Sequence, residues 1–346
     1  MRERIRRFGV RVARHARWVR REGLGRLIEE DQLDPRARAS LARERSRWLA
    51  EHPGIAPNAV PIFVVGVQRS GTNMLLRGFE TSPAFDVCNE NDRRAFERFR
   101  LRPLPRIREV VEGSGHRYVL FKPLMESHRT PELLDDLGTP SPPLSLWAYR
   151  SVDGRVRSAV AKFGPNNLLA LRSIAVGDED RRWSVSGPAQ EVVETIRAGL
   201  SEDSLAFVRS FDYDALDPEA GAALFWYVRN RLYFELGLHD RDDVTLSTYE
   251  RVVREPEETL RIVSGFLGTP FEPAFAAHVD ARASSPPRVT LPAEIRARCD
   301  ELETRLSAAA DEKAARIASR PVADGAGERR SRGPDRISGE VPRSPR

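Results

Sequence analysis

Cysteine is nearly absent from this chain of 346 residues: only Cys88 and Cys299 occur, far apart and outside any CxxC or Cys/His spacing. That excludes a disulfide framework and a cysteine-based zinc site, and it suits a reducing compartment, the cytoplasm. No apolar run approaches the roughly eighteen residues a membrane-spanning helix needs. The amino terminus, MRERIRRFGVRVARHARWVRREG, lacks the apolar core and small-residue cleavage site of a secretory leader. Lysine is the other scarcity. It stands only at positions 122, 162 and 313, and the other 53 of the 56 basic residues are arginine. In a sequence so biased, a surviving lysine marks a place where a compact ammonium is wanted rather than a planar fork.

What is present describes a globular α/β protein. Hydrophobic residues make up 40% of the chain, and the length suits one large domain with appendages. The net charge of +5 favours an anionic partner. Nucleic acid is disfavoured, because the arginines are scattered among 51 acidic residues rather than gathered on one stretch. Residues 1–58 read as a basic helical extension of two helices, the first carrying Ile5, Phe8, Val12 and Val19 at helical spacing and the second ending in Trp48 and Leu49. Its functional reading is an amphipathic helix that touches acidic lipid or glycan; its structural reading is a helix packed on its own domain with a solvated charged face.

From Pro61 short β-branched apolar runs alternate with helical stretches. Strands are predicted at 61–66, 84–88, 117–121, 144–149 and 244–248, and helices at 72–81, 92–100, 130–137, 153–162 and 256–267. Runs apolar throughout belong to a parallel sheet covered on both faces, hence a three-layer α/β/α domain over 59–290 with a central sheet of about five strands. Residues 163–240 form a helical insertion, with Asp217-Pro218 as a helix start, expected over the carboxyl ends of the strands as a lid or cradle. Residues 291–319 read as a charged helix, and 320–346 as a tail with too little to bury.

The stretch IFVVGVQRSGTNML (62–75) is a strand, a glycine turn and a helix start, the arrangement that holds an anion on unpaired amides and the helix dipole. Gly71 permits close approach, Ser70 and Thr72 add hydroxyls, and Arg69 adds a full charge. Gly66 and Gly71 have the spacing of a nucleoside-triphosphate loop, yet Thr72 replaces its lysine and Asn73 its magnesium ligand. Chemistry on a γ phosphate is therefore disfavoured. A second strand, in WAYRSVDGRVRSAV (147–160), ends in Arg150. With a helix starting near Asp153, Ser158 lies about one and a half turns in, where its hydroxyl can turn back toward Arg150.

These two motifs together resemble the cofactor signatures of sulfotransferases that use 3′-phosphoadenosine 5′-phosphosulfate (PAPS), which have a P-loop-like fold. The resemblance implies that Arg69, Ser70, Gly71, Thr72 and Asn73 grip the 5′-phosphosulfate, with Gln68 in place of the family's proline and Asn73 in place of its second threonine. It implies that Arg150 and Ser158 grip the 3′-phosphate. A third segment, LSTYERVVREPEETLRIVSGFLGTPF (246–271), is similar to the family's Tyr-Glu segment and following helix, so Tyr249 inherits a place against the adenine. The likeness covers about 60–290. The family's basic triplet that completes the 3′-phosphate site is absent, leaving Arg282, Ser284 or Ser285 to substitute.

Sulfuryl transfer needs an in-line nucleophile, charge stabilisation at the departing oxygen and a base for the acceptor proton; no metal is required in this family. Arg69 and Lys122, the latter at a strand end in YVLFKPLMESH, are the charge stabilisers the resemblance implies. The histidine that cytosolic members place two residues after this lysine is replaced by Leu124, so the base must come from elsewhere. Glu90 is the first candidate, with Glu126 and His128 as alternatives. His116 and His239 are expected at the surface. Trp183 and Trp226 suit stacking on a sugar, so the expected acceptor is a hydroxyl or amine, on a carbohydrate or alternatively a lipid. The competing functions are a nucleotide-binding module without catalysis and a degenerate P-loop kinase.

Overall fold

Continuous apolar runs become buried parallel strands in the computed structural model, which describes residues 35–176, 188–281 and 286–319. The strands are β1 (Val60–Gly66), β2 (Phe85–Cys88), the two-residue pair β3 (Phe96–Glu97) and β4 (Arg100–Leu101), β5 (Tyr118–Phe121), β6 (Leu144–Tyr149) and β7 (Val244–Thr248). Five of them form one sheet in the order β2-β5-β1-β6-β7, every pairing parallel. Around it lie α1 (Pro35–Glu51), α2 (Thr72–Glu80), α3 (Leu104–Glu112), α4 (Thr130–Asp135), α5 (Val152–Phe163), α6 (Asn166–Val176), α7 (Pro188–Ala198), α8 (Glu202–Arg209), α9 (Pro218–Glu235), α10 (Tyr249–Arg254), α11 (Pro256–Leu267) and α12 (Ala293–Ala318).

Strand periodicity divides the core in two. Ile62 and Val64 of β1, with Leu144 and Leu146 of β6, face Leu75, Leu76 and Phe79 of α2 and Leu260 and Val263 of α11. Phe63, Val65, Trp147 and Tyr149 face the other way, onto Val152, Val156 and Ala159 of α5 and the buried helix α9. The result is a three-layer α/β/α domain. Because α2, leaving β1, and α5, leaving β6, lie on opposite faces, the carboxyl ends of these adjacent strands mark the switch in strand order, the place where open α/β sheets bind ligands.

Four expectations need correction. Residues 92–100 are not a helix: the chain makes one turn on Asp92, then β3 and β4 pair across Arg98 and Phe99, both with positive φ (52° and 67°). Burial of Phe96 and Leu101 outweighs helix propensity there, and the Glu126 carboxylate fixes the hairpin by accepting from Arg100 Nε and Leu101 N, each at 2.8 Å. The insertion is not simply a lid, since α9 joins the core: Trp147 donates to Asn230 Oδ1 and packs beside Tyr233. Its Trp226 is 0% exposed and cannot stack on a sugar; Trp183 lies outside the described residues. His116 is not a bare surface residue, for it bonds the Pro83 carbonyl and stacks on Trp48 of α1.

That stacking docks α1 on its own domain, with Arg45 donating to the Phe85 carbonyl. The first basic helix of the extension and the tail from 320 lie outside the described residues. Among the described residues no helix is long and apolar enough to cross a membrane.

Candidate functional site

The anion loop is built by close approach. Gly66 has φ 121°, and a Cβ there would fall 2.1 Å from the Ala148 carbonyl oxygen of β6, so only glycine lets β1 and β6 meet at their ends. Ser127 clamps it from the other side, its Oγ accepting from Gly66 N at 2.9 Å and donating to Gly66 O at 2.7 Å. Arg155, wholly buried, donates from Nε to the Gln68 carbonyl at 3.3 Å and from Nη1 to that of Ala222 at 2.8 Å. The chain then turns through left-handed Arg69 and Gly71 (φ 73° and 81°) into α2, whose start carries no side-chain cap. Amides at such a start face outward, as an anion cradle requires. Beside them Ser70 is 1% exposed, and its Oγ has no hydrogen-bond partner.

Arg150 stands at the end of β6, next to β1. Trp226 Nε1 holds its carbonyl at 2.8 Å, and its guanidinium lies over the Tyr249 ring, 4.0 Å from the centroid. Its Nε is buried without a hydrogen bond, 3.8 Å from Glu250 Oε1, an ion-pair distance too long for a hydrogen bond. Glu250 is itself engaged, accepting from Ser151 N and Oγ (3.1 and 2.7 Å) and from Thr248 Oγ1 (2.9 Å). Tyr249 fills the space between the two motifs: a Cβ on Gly71 would lie 2.5 Å from its Cδ2. Ser158 touches the first motif, its Oγ accepting from Arg69 Nε at 2.9 Å.

The third group forms around Lys122, at the end of β5. Its Nζ donates to Asn73 Oδ1 at 2.6 Å and lies 3.6 Å from Glu90 Oε2, so the loop residue Asn73 and the candidate base share one cation. Lys122 is buried, not a surface lysine. Glu90 follows β2, held in place by its neighbour Asn89, whose Nδ2 donates to Glu80 Oε1 of α2 at 2.7 Å. Burial pushes the Glu90 carboxyl above the usual carboxylate range, and the positive charges of Lys122 and, less, Lys162 oppose that rise.

The two alternative bases are placed differently. Glu126 is 1% exposed and spent on the β3–β4 hairpin. His128 is buried and held neutral, its pKa pushed down to about 3 by burial first and then by Arg229, Arg129 and Arg100. Arg282, Ser284 and Ser285 lie outside the described residues; Val289 donates its amide to Asp153 in the first turn of α5. Among the described residues no group of three His, Cys, Asp or Glu side chains converges as metal ligands would.

Sequence reasoning passed over three residues that build this site and gave a fourth, Trp226, a different role. Arg155 lies within the second motif, three residues before Ser158, and helical spacing could have flagged it. Glu250 sits beside Tyr249 in the third segment. Ser127 and Trp226 act across long sequence separations and leave no local signal. No protein-family model and no curated protein matches the chain.

Proposed function

We propose that the chain is a sulfotransferase that takes a sulfuryl group from PAPS to a hydroxyl or amine acceptor, in the cytoplasm. The observation that carries this reading is a pair of orphaned polar atoms: Ser70 Oγ in one motif and Arg150 Nε in the other are buried without hydrogen-bond partners, with Tyr249 between them. Buried polar groups are costly unless paired, and both atoms are donors that an anionic group could satisfy. A ligand with two anionic groups on one nucleoside, a 5′-phosphosulfate and a 3′-phosphate, meets that need, whereas ATP offers nothing to Arg150.

The chemistry PAPS supplies when bound is a sulfur centre whose bridging oxygen leaves readily. The residues do the rest. The loop amides, Ser70 and Arg69 receive the 5′ group. Lys122, next to Asn73, faces the charge that develops as the bridging S–O bond breaks and its electron pair stays on the phosphate oxygen. Glu90 takes the proton of the acceptor as the acceptor oxygen or nitrogen bonds sulfur. Arg150 and Tyr249 seat the 3′-phosphate and the adenine. With Trp226 buried, the acceptor is specified here only by its nucleophile.

Calorimetric titration with 3′,5′-adenosine bisphosphate, with its analogue lacking the 3′-phosphate and with Mg-ATP tests the reading. Tight binding of the bisphosphate alone is expected, weakened about tenfold to a hundredfold by Arg150→Ala with no change for the analogue. PAPS consumption in an acceptor screen should collapse in Arg69→Ala and Lys122→Ala. Preference for Mg-ATP would move the chain to the kinases, and bisphosphate binding without PAPS consumption to the non-catalytic binding modules.

A further inference from the structure

Gly154 occupies the first turn of α5, where the backbone does not call for glycine. It lacks the left-handed φ of Gly71 and Gly164. Within a helix, glycine is less favourable than alanine. The residue is buried, and what it faces is one side chain. A Cβ on Gly154 would lie 2.7 Å from Arg150 Nε and 3.3 Å from Arg150 Cζ, with Oγ of the capping Ser151 at 2.9 Å as the other near neighbour. Gly66 and Gly78 are pressed instead by the backbone of Ala148 and Phe275. The Arg150 guanidinium is thus enclosed by three groups: the Tyr249 ring, its centroid 4.0 Å away; Glu250, with Oε1 3.8 Å from Nε; and the bare backbone of Gly154. Glu250 is fixed in turn by Ser151 and Thr248, and Ser151 Oγ accepts from Gly154 N at 3.4 Å. Only 19% of the Arg150 side chain stays open, and an anion must approach there.

We infer that Gly154 is a positioning residue that sets nucleotide specificity: by having no side chain it lets Arg150 lie against the start of α5, in place for a 3′-phosphate before the nucleotide arrives. The inference rests on the sulfotransferase reading for the identity of that anion. Arginine is long and flexible, and a side chain already held in its bound position does not have to be ordered on binding. The distances show how little room the seat has. To reach ordinary contact with a new Cβ, Nε would have to retreat by about 1 Å. A guanidinium–phosphate hydrogen bond loses most of its strength over such a shift. Only a nucleotide with a 3′-phosphate feels the change, because the 5′ group is held by the loop around Ser70 and Gly71.

The experiment is calorimetric titration and thermal melting of the full chain carrying Gly154→Ala, Arg150→Ala or both, with 3′,5′-adenosine bisphosphate and adenosine 5′-phosphate as the probes. Gly154→Ala should weaken the bisphosphate at least about tenfold and leave the monophosphate within about twofold of wild type. In the Arg150→Ala background the same substitution should change neither affinity by more than about twofold, because its effect runs through the guanidinium. A bisphosphate affinity equal to wild type in Gly154→Ala overturns the inference, as does an equal weakening of both nucleotides in both backgrounds. If Gly154→Ala melts early, the double variant decides. Without the guanidinium the clash at Nε and Cζ is gone, so part of the loss should be recovered; an equal loss in both backgrounds overturns the inference, since the glycine would then serve the Ser151 cap alone. Wild type that binds the bisphosphate beside an unimpaired Gly154→Ala sinks this inference and leaves the sulfotransferase reading standing, whereas wild type that does not bind it sinks the reading and the specificity role with it.

Discussion

Gly71→Ala perturbs the loop at the point where both motifs meet. The residue has φ 81° and ψ 13°, a left-handed conformation that costs an alanine about 1–2 kcal/mol. The new Cβ would lie 2.5 Å from Tyr249 Cδ2, well inside the ordinary carbon contact distance of about 3.5–4.0 Å. The ring must therefore retreat by about 1 Å, away from its stacking under Arg150, an interaction worth about 0.5–1 kcal/mol where partly exposed. Together these predict a loss of about 1.5–3 kcal/mol, and a melting temperature lower by about 2–4 °C for a chain of this size. Bisphosphate affinity should fall at least about tenfold, since the displaced ring disturbs both anion positions. Thermal melting and calorimetric titration read the two effects separately. A cycle with Tyr249→Ala isolates the clash: in that background the alanine should cost only its backbone strain, leaving a coupling of about 1 kcal/mol. Wild-type melting and affinity in Gly71→Ala would refute the reasoning, and strict additivity in the cycle would refute the role given to Tyr249.

Two further outcomes are expected. Glu126→Gln removes the charge that binds Arg100 and the Leu101 amide, so the urea midpoint should fall by the equivalent of about 1–3 kcal/mol, limited by the partial solvation of Arg100; an unchanged midpoint would show that the hairpin is held by other contacts. His128 has a folded pKa near 3, below the unfolded value of about 6.5, so its contribution is fully present above pH 6.5 and is lost as pH falls toward 3. Between pH 7 and 5 this amounts to about 2 kcal/mol, so denaturant unfolding of His128→Gln should lose that much less stability over the same interval, and equal losses would contradict a buried neutral imidazole.

Much of the scaffold is legible because its strands are apolar throughout. The 144–149 and 244–248 runs match β6 and β7 residue for residue, and Pro256 and Gly268 bound α11 as proline and glycine do. The glycine turn after β1 is legible for another reason: Gly66 and Gly71 are demanded by close contacts with Ala148 and Tyr249, which lie in the other two motifs. Residues 92–100 were misread because their helical spacing of apolar residues is also satisfied by a hairpin, and what decides is the Glu126 carboxylate, twenty-five residues from Leu101 in sequence. The direction of a helix turn relates Ser158 to Arg150, but not to Arg69, which reaches its hydroxyl from the loop after the neighbouring strand. The pairing of Lys122 with Glu90 joins the ends of two strands; sequence could place both residues in the cleft but not in contact.

Strand position divides the site by mechanical stability. The anion loop and Arg150 hang from β1 and β6, each bonded on both sides within the sheet, whereas Glu90 follows β2, a four-residue edge strand paired only with β5. Edge segments open locally at lower free energy than the strands between them, so amide exchange should be fastest on the Glu90 side. Opening of β2 would carry Glu90 off Lys122 while β1 and β6 stay paired. On the proposed sulfuryl-transfer reading, the proton-accepting half of the site would then be switched off and restored within one nucleotide residence, letting acceptors be exchanged over a loaded donor.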